Sequence, residues 1–521
     1  MNSEQIEALD KAINAFWNFN LTESESILSK YISKVPLMAL LYSDIAFTKA
    51  VLTETKDDYS EATKRISECK DLARSLQLSQ KPLYLQQEKD EKKAGTNGAD
   101  SLSQFTKAEY LIAKLIYAET LVMKGVIEFK NQNNLKAGMA LRKSWKQFYQ
   151  AYDIVKTLPP TFPIYNHIVS CANYGVGIFH FLVSVVPPQY MWLVEGIGFK
   201  GNRMEGLNEI KLGASSNGIR SILSNISLIL IHVFFFEDYK SADPILNSLM
   251  EKYNKGALIY YLSGACLRKQ GKIKESTASY QKAFETSEEL KQLQLFIESE
   301  LGYNEFLFLN WQKSEEYLGR FLKETTSSGF KAFIAYQMAC CQELQNNTAL
   351  SQETFKTIGP IVRKGFDFDE FSGRKASKYL KKGQISAFER SYLMASCLNE
   401  AHQFEESIKI LVEALSASGL SNDDLATGDY LLGSNYQQMG KKDEAKKHYQ
   451  QALTKEKQLT SEYFVIPYSY VGLGEIAILE EKKSDAKNFI KQAKGYSKNA
   501  YDFPSVLDWR ARKVLQQLGE F

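Results

Sequence analysis

A chain of 521 residues exceeds what one compact core fills; it suits three or four ordinary domains, or one extended array of repeats. Lys+Arg 64 against Asp+Glu 61 leaves a formal net charge of +3, spread evenly, which excludes a whole-molecule field that would draw the chain to nucleic acid or to an anionic membrane. The six cysteines include no CxxC pair and the five histidines no HExxH or Cys/His cluster at ligand spacing, so neither a metal nor a cofactor is expected and a reducing compartment is.

Only 11 prolines and 30 glycines interrupt a sequence rich in Leu, Lys, Glu, Ala and Gln, so an all-α chain is predicted. Met1-Asn-Ser-Glu-Gln opens with an acid, where a secretory signal needs a basic start and an apolar run, and the expectation is an intracellular protein. Residues 6–36 and 37–72 each read as two apolar-periodic segments around a polar turn, with Pro36 placed to end the first hairpin. The tract 86–101 (QQEKDEKKAGTNGADS) has nothing to bury and reads as a polar, flexible loop between repeats. Long amphipathic helices are predicted over 108–129 and 135–156, closed by Pro159, Pro160 and Pro163.

Residues 196–201 (GIGFKG) match the GxGxxG spacing of a dinucleotide site, which also needs a strand before it, a helix after it and an acid about 20 positions on. Residues 214–221 (ASSNGIRS) supply no acid, and Gly201 is followed by Asn202-Arg203 rather than the Lys-Ser/Thr of a P-loop. Aligned instead on Gly271 and Gly440, Gly201 is followed at matching offsets by Gly206, Ser276 and Ala445, then by Ile210, Tyr280 and Tyr449. That register predicts a helical hairpin in which Trp192, Leu193 and Ile197 pack from the first helix, Gly201-Asn202 makes a positive-φ turn, and Gly206 permits close contact. Ile222 to Phe236, the most apolar stretch, falls short of the roughly 20 residues that span a bilayer and is expected as a buried repeat helix.

The repeat is plainest around Gly433, where Tyr436, Gly440, Ala445, Tyr449 and Ala452 follow at the spacing of a tetratricopeptide repeat of about 34 residues. Gly264, Gly271, Ser276, Tyr280 and Ala283 reproduce it upstream, and Gly474, Ala486 and Ala493 downstream after a longer loop. The clearest copies lie near 257–290, 427–457 and 466–496; weaker ones turn at Asn310-Trp311, Asn346-Asn347 and Gln403-Phe404. An N-terminal helical-repeat half over 1–212 and a C-terminal tetratricopeptide array over 213–521, stacked into a superhelix, is the predicted organisation.

The block 174–210, with Gly175, Gly177, Pro187, Pro188, Gly198, Phe199, Gly201, Arg203, Gly206 and Leu207, resembles the tetratricopeptide repeat protein 39 family, which includes the fungal inclusion-body clearance factors. A second segment, 368–380 (FDEFSGRKASKYL), is similar to that family's Glu-Phe and Arg-Lys segment. The resemblance implies a helical-repeat scaffold without enzymatic chemistry, in the cytoplasm or nucleus or on mitochondrial or lipid-droplet surfaces, with links to lipid homeostasis and to clearance of aggregated protein.

No nucleophile, base and orienting group can be assembled from the sequence, so an enzyme is not expected. The basic run Arg374, Lys375, Lys378, Lys381 and Lys382 places Arg374, Lys378 and Lys382 on one helix face, where they would meet an acidic partner or an anionic headgroup, or else pair internally. Cys340 and Cys341, adjacent on a helix, point about 100° apart and read as core. Two functions follow: an adaptor that grips a protein partner in its superhelical groove, with no nucleic acid involved, or a peripheral organelle-surface protein whose segments 176–186 or 222–236 line a lipid-accepting cavity.

Overall fold

A helical hairpin needs a turn that satisfies the carbonyls left open at the end of its first helix, and one solution recurs throughout this chain. In the computed structural model, which describes residues 1–94, 101–156, 158–162, 164–185, 201–497 and 501–519, the turn places one residue in the left-handed region. The next residue then donates its N–H to a carbonyl five positions back, as in Asn20 to Ala15 (2.9 Å), Asn310 to Glu305 (2.9 Å), Gln403 to Leu398 (2.8 Å) and Lys441 to Tyr436 (2.9 Å). Glycine holds the left-handed position at Gly271 and Gly440, but Phe19, Gln132, Leu309, Asn346, His402 and Glu481 hold it elsewhere.

A second device ties the two helices of a hairpin together. Ser276 Oγ donates to the Gly264 carbonyl (2.7 Å), Ser314 to Gly302 (2.8 Å), Ser351 to Ala339 (2.9 Å) and Ser407 to Ala395 (2.7 Å), each spanning 12 residues. Ser24 donates to Ala12 (2.9 Å) in the same way, so the repeat begins at the first hairpin. Successive hairpins are linked as well: Asn304 Nδ2 donates to Ser276 Oγ and Asn435 Nδ2 to Ser407 Oγ, both at 3.0 Å. The predicted glycine–tyrosine packing is present, since a Cβ on Gly264 or Gly433 would lie 2.7 Å from the ring of Tyr280 or Tyr449. Among the described residues the regular structure is α-helical apart from short 3-10 and π segments, with no strand.

The chain forms two compact units, residues 1–263 with 282–294, and residues 264–281 with 295–521. The boundary expected at 212/213 falls inside the first unit, because Arg203–Ser215 packs both on Tyr165–Val185 before it and on Ser221–Leu230 after it. The first unit is built from α1 (Ser3–Trp17), α2 (Leu21–Leu28), α3 (Pro36–Thr53), α4 (Lys56–Ala94), α5 (Ser101–Lys130), α6 (Asn134–Val155), α7 (Tyr165–Val185), α8 (Arg203–Ser215), α9 (Ser221–Leu230) and α10 (Tyr239–Lys252). The first hairpin also meets residues far along the chain: Lys255 N donates to Asn18 Oδ1 (3.2 Å) and Thr22 N to Glu289 Oε2 (2.9 Å).

The polar tract 86–101 differs from the expected loop. Residues 86–94 continue α4 and Ser101 opens α5, while 95–100 lie outside the described residues. Glu, Lys and Gln are good helix formers, and i,i+4 contacts such as Gln86 to Asp90 (3.1 Å) and Tyr84 to Glu88 (2.6 Å) extend the helix without any core to bury. The apolar stretch 222–236 is helical but not uniformly buried: α9 gives way to a π turn over Ile231–Phe236, and Leu230, Phe234 and Phe236 are exposed.

Candidate functional site

The glycines of the block 174–210 act where α7 crosses α8. A Cβ on Gly206 would meet the Phe181 N at 2.7 Å and the Gly177 carbonyl at 2.8 Å, and one on Gly177 would meet Ile210 Cγ1 at 2.8 Å, so only glycine lets these backbones touch. Gly206 thus serves the predicted close contact. The positive-φ turn foreseen at Gly201-Asn202 does not take in Asn202, whose backbone is extended (φ −134°), and the missing side chain of Gly201 lets the chain pass over residues 183–184, with Ser184 N only 2.2 Å from the position of a Cβ. Asn202 caps α8, its side chain accepting from Glu205 N at 3.2 Å. Gly175 lies against the Phe148 ring, Leu207 is core, and Pro187, Pro188, Trp192, Leu193, Gly196, Ile197, Gly198 and Phe199 lie outside the described residues.

Beside this crossing the first unit holds a partly open cavity of about 660 Å³. Its walls are Phe16 and Trp17 of α1, Leu41 and Phe47 of α3, Val122 and Met123 of α5, Leu141 and Phe148 of α6, and Ile178, Phe179, Leu182 and Val183 of α7, with Leu223, Ile226, Leu258 and Leu262 opposite. Segments 176–186 and 222–236 both contribute residues to these walls. That volume and lining match the concave, mostly apolar sites that hold small molecules.

Three charged side chains, Asp44, Glu119 and Arg220, share the wall. Arg220 enters at the start of α9, placed by Gly218, where a Cβ would fall 2.1 Å from the Asn166 carbonyl, and by its own N–H, which donates to Ser170 Oγ at 3.3 Å. The guanidinium grips Asp44 with two bonds (2.6 and 3.2 Å) and Glu119 Oε2 with a third. Burial pushes both carboxyls above the usual range while Arg220 pulls them down; against its own burial, Arg220 is held well above its ordinary value by Asp44 and Glu119. Two carboxyls thus face one cation; the Cys171 thiol, a weak donor, lies beside Glu119, and Glu119 Oε1 is buried without a hydrogen bond of good geometry. The site can anchor one polar group that donates a hydrogen bond while its apolar remainder fills the cavity.

None of the three was visible in the sequence, because Asp44 and Arg220 are 176 residues apart and Glu119 and Arg220 are 101 apart. The available signal was Arg220 itself, a lone cation leading straight into the most apolar stretch of the chain.

The basic run of the second unit is placed differently from a free partner-binding face. Arg374, Lys375 and Lys378 converge on the buried Glu462 carboxylate (3.1, 2.9 and 2.8 Å), Arg374 also holds Asp502, and Lys378 reaches Glu389 at 2.5 Å. Against burial, these three cations hold Glu462 far below the usual carboxylate range. Charges paired this way stabilise the helix of residues 367–382 against the loop around 460; Lys381 and Lys382 remain at the surface. That loop, the longer one foreseen before the last repeat, is gathered by Asp423, which accepts the N–H groups of Thr460, Ser461 and Glu462 at 3.1 to 3.2 Å. All six cysteines are buried thiols outside any disulfide, Cys340 and Cys341 included. Among the described residues, His180, Glu205 and Glu209 are the His/carboxylate group close enough to share an ion.

Solved structures of helical-repeat proteins are similar to the chain: the APC/C hetero-tetramer Cut9-Hcn1 (12% identity, 96% of each chain covered, TM-score 0.27), the P58(IPK) TPR domain (13%, 77% of this chain and 98% of that one, 0.22) and the human IFIT1 dimer with PPP-AAAA (14%, 82% and 93%, 0.31). At these identities and TM-scores the likenesses bear on neither site nor partner. A tetratricopeptide repeat model matches residues 430–454, the hairpin around Gly440. The model described as Iml2/Tetratricopeptide repeat protein 39 matches residues 10–394, which takes in the α7–α8 crossing, every wall of the cavity and the basic run; this chain therefore belongs to that family.

Proposed function

We propose that the protein is a non-catalytic adaptor whose C-terminal repeats bind a protein partner and whose first unit holds an apolar ligand bearing a single hydrogen-bond-donating head. The observation that carries the reading is the 660 Å³ apolar cavity with the Asp44–Arg220–Glu119 cluster in its wall. A long-chain alcohol suits it better than a fatty acid, since a further carboxylate would be the third around one guanidinium, whereas a hydroxyl would give Glu119 a stronger donor than the Cys171 thiol beside it. Lipid homeostasis, or lipid-droplet-linked clearance of inclusions, is the cellular setting in which such a protein fits the resemblance to its family.

Delipidated protein titrated with a fluorescent long-chain alcohol should bind one equivalent, and Ile178→Trp, which fills the cavity, should weaken binding at least tenfold with the fold intact. Absence of saturable binding, or equal binding by Ile178→Trp, would overturn the cavity reading. One described helix, Tyr165–Val185, is long and apolar enough to cross a membrane, but more than half of its apolar window is buried in the unit and its residues form the α8 contact and a cavity wall.

A further inference from the structure

The α7–α8 crossing brings together a second group of polar residues, separate from the cluster around Arg220. Glu205 and Glu209 stand one turn apart on α8, so their side chains share a face. His180, on α7, is drawn to that face because glycine at 206 lets the helices touch: a Cβ on Gly206 would sit 3.0 Å from His180 Cβ. One ligand atom from each of the three lies within 4.8 Å of the others.

His180 Nδ1 and Glu209 Oε2 are 2.5 Å apart. Glu209 is 3% exposed; the Tyr152 hydroxyl lies beside its carboxylate, yet Oε1 is buried without a hydrogen bond of good geometry, which costs free energy unless something positive completes it. Glu205 is exposed, which leaves an entry path from solvent. One imidazole nitrogen and two carboxylates form a donor set suited to a borderline divalent cation with water in the remaining position.

The geometry points to a divalent-cation site, of the Zn²⁺ or Co²⁺ type, formed by His180, Glu205 and Glu209 across the α7–α8 crossing. Binding there adds a clamp to the close glycine contact and the His180–Glu209 pair that already join the two helices. The cation raises the stability of the first unit by mass action, and Trp145, whose ring lies 5.6 Å from the His180 ring, reports its arrival.

The full chain, stripped with chelator, should take up one equivalent of Zn²⁺ in a calorimetric titration and gain thermal stability with it. Co²⁺ should quench part of the tryptophan fluorescence, a part that Trp145→Phe lacks. His180→Gln and Glu205→Gln should each weaken Zn²⁺ binding at least tenfold, and Glu205→Gln, an exposed change, should leave the metal-free melting temperature unaltered, which separates lost ligation from lost folding. His448→Gln, at a His–Asp pair elsewhere in the chain, should leave binding unchanged. Failure to take up one saturable equivalent, or affinity unmoved by Glu205→Gln and His180→Gln, would overturn the site.

Discussion

Replacing Arg220 by methionine would remove the guanidinium that Asp44 and Glu119 bind in the cavity wall and leave two buried carboxyls facing each other. Breaking a buried ion group in this way costs about 3–5 kcal/mol, so Arg220→Met should lower the denaturation midpoint of the first unit sharply, while adding Glu119→Gln should recover part of the loss. Lys114 poses the opposite case. It is buried between α5 and α6 with Gln150 Oε1 at 2.9 Å, and burial, with Lys81 and Lys146 nearby, pulls its pKa down to about 8. The folded chain therefore binds fewer protons than the unfolded one between that value and the ordinary lysine range, and stability rises with pH across that window. Thermal melts of wild type against Lys114→Met should show this as a difference that narrows from pH 7 to pH 10.

At the scale of the helical hairpin, the turns explain what the sequence disclosed. Gly271 and Gly440 occupy left-handed positions and announced their repeats directly, and the Gly433–Tyr449 spacing fixed the register of the rest. Leu309, His402 and Glu481 adopt the same backbone without the residue that advertises it, so their hairpins were legible only through periodicity and short polar turns. The strain is removable. A non-glycine residue in this region costs about 1 kcal/mol, and Glu481 is exposed, so Glu481→Gly should raise the melting temperature of the second unit. The extension of α4 through residues 86–94 escaped sequence reasoning for a complementary reason: a helix held by propensity and i,i+4 pairs shows no apolar stripe.

On the scale of the whole molecule, an all-α repeat protein could be read from composition and spacing because each hairpin repeats its neighbour's solution. The serine that bonds 12 residues back recurs from Ser24 to Ser407, though only its small size, not its hydrogen bond, was apparent in the sequence. The cavity was not legible, since its walls come from helices dispersed between Phe16 and Leu262 and no local pattern records their convergence. The basic run shows the converse limit: a periodic stripe identifies a face, but Glu462 lies 84 to 88 residues away, so its capture of Arg374, Lys375 and Lys378 is a tertiary fact. The contact of Thr22 with Glu289 has a temporal consequence. The two are 267 residues apart, and at about 5–20 residues per second the ribosome needs on the order of 10–50 s to make the second after the first. For that interval the first hairpin of the nascent chain lacks this partner, and the contact that ties α2 to residue 289 forms only after every wall of the cavity has been made.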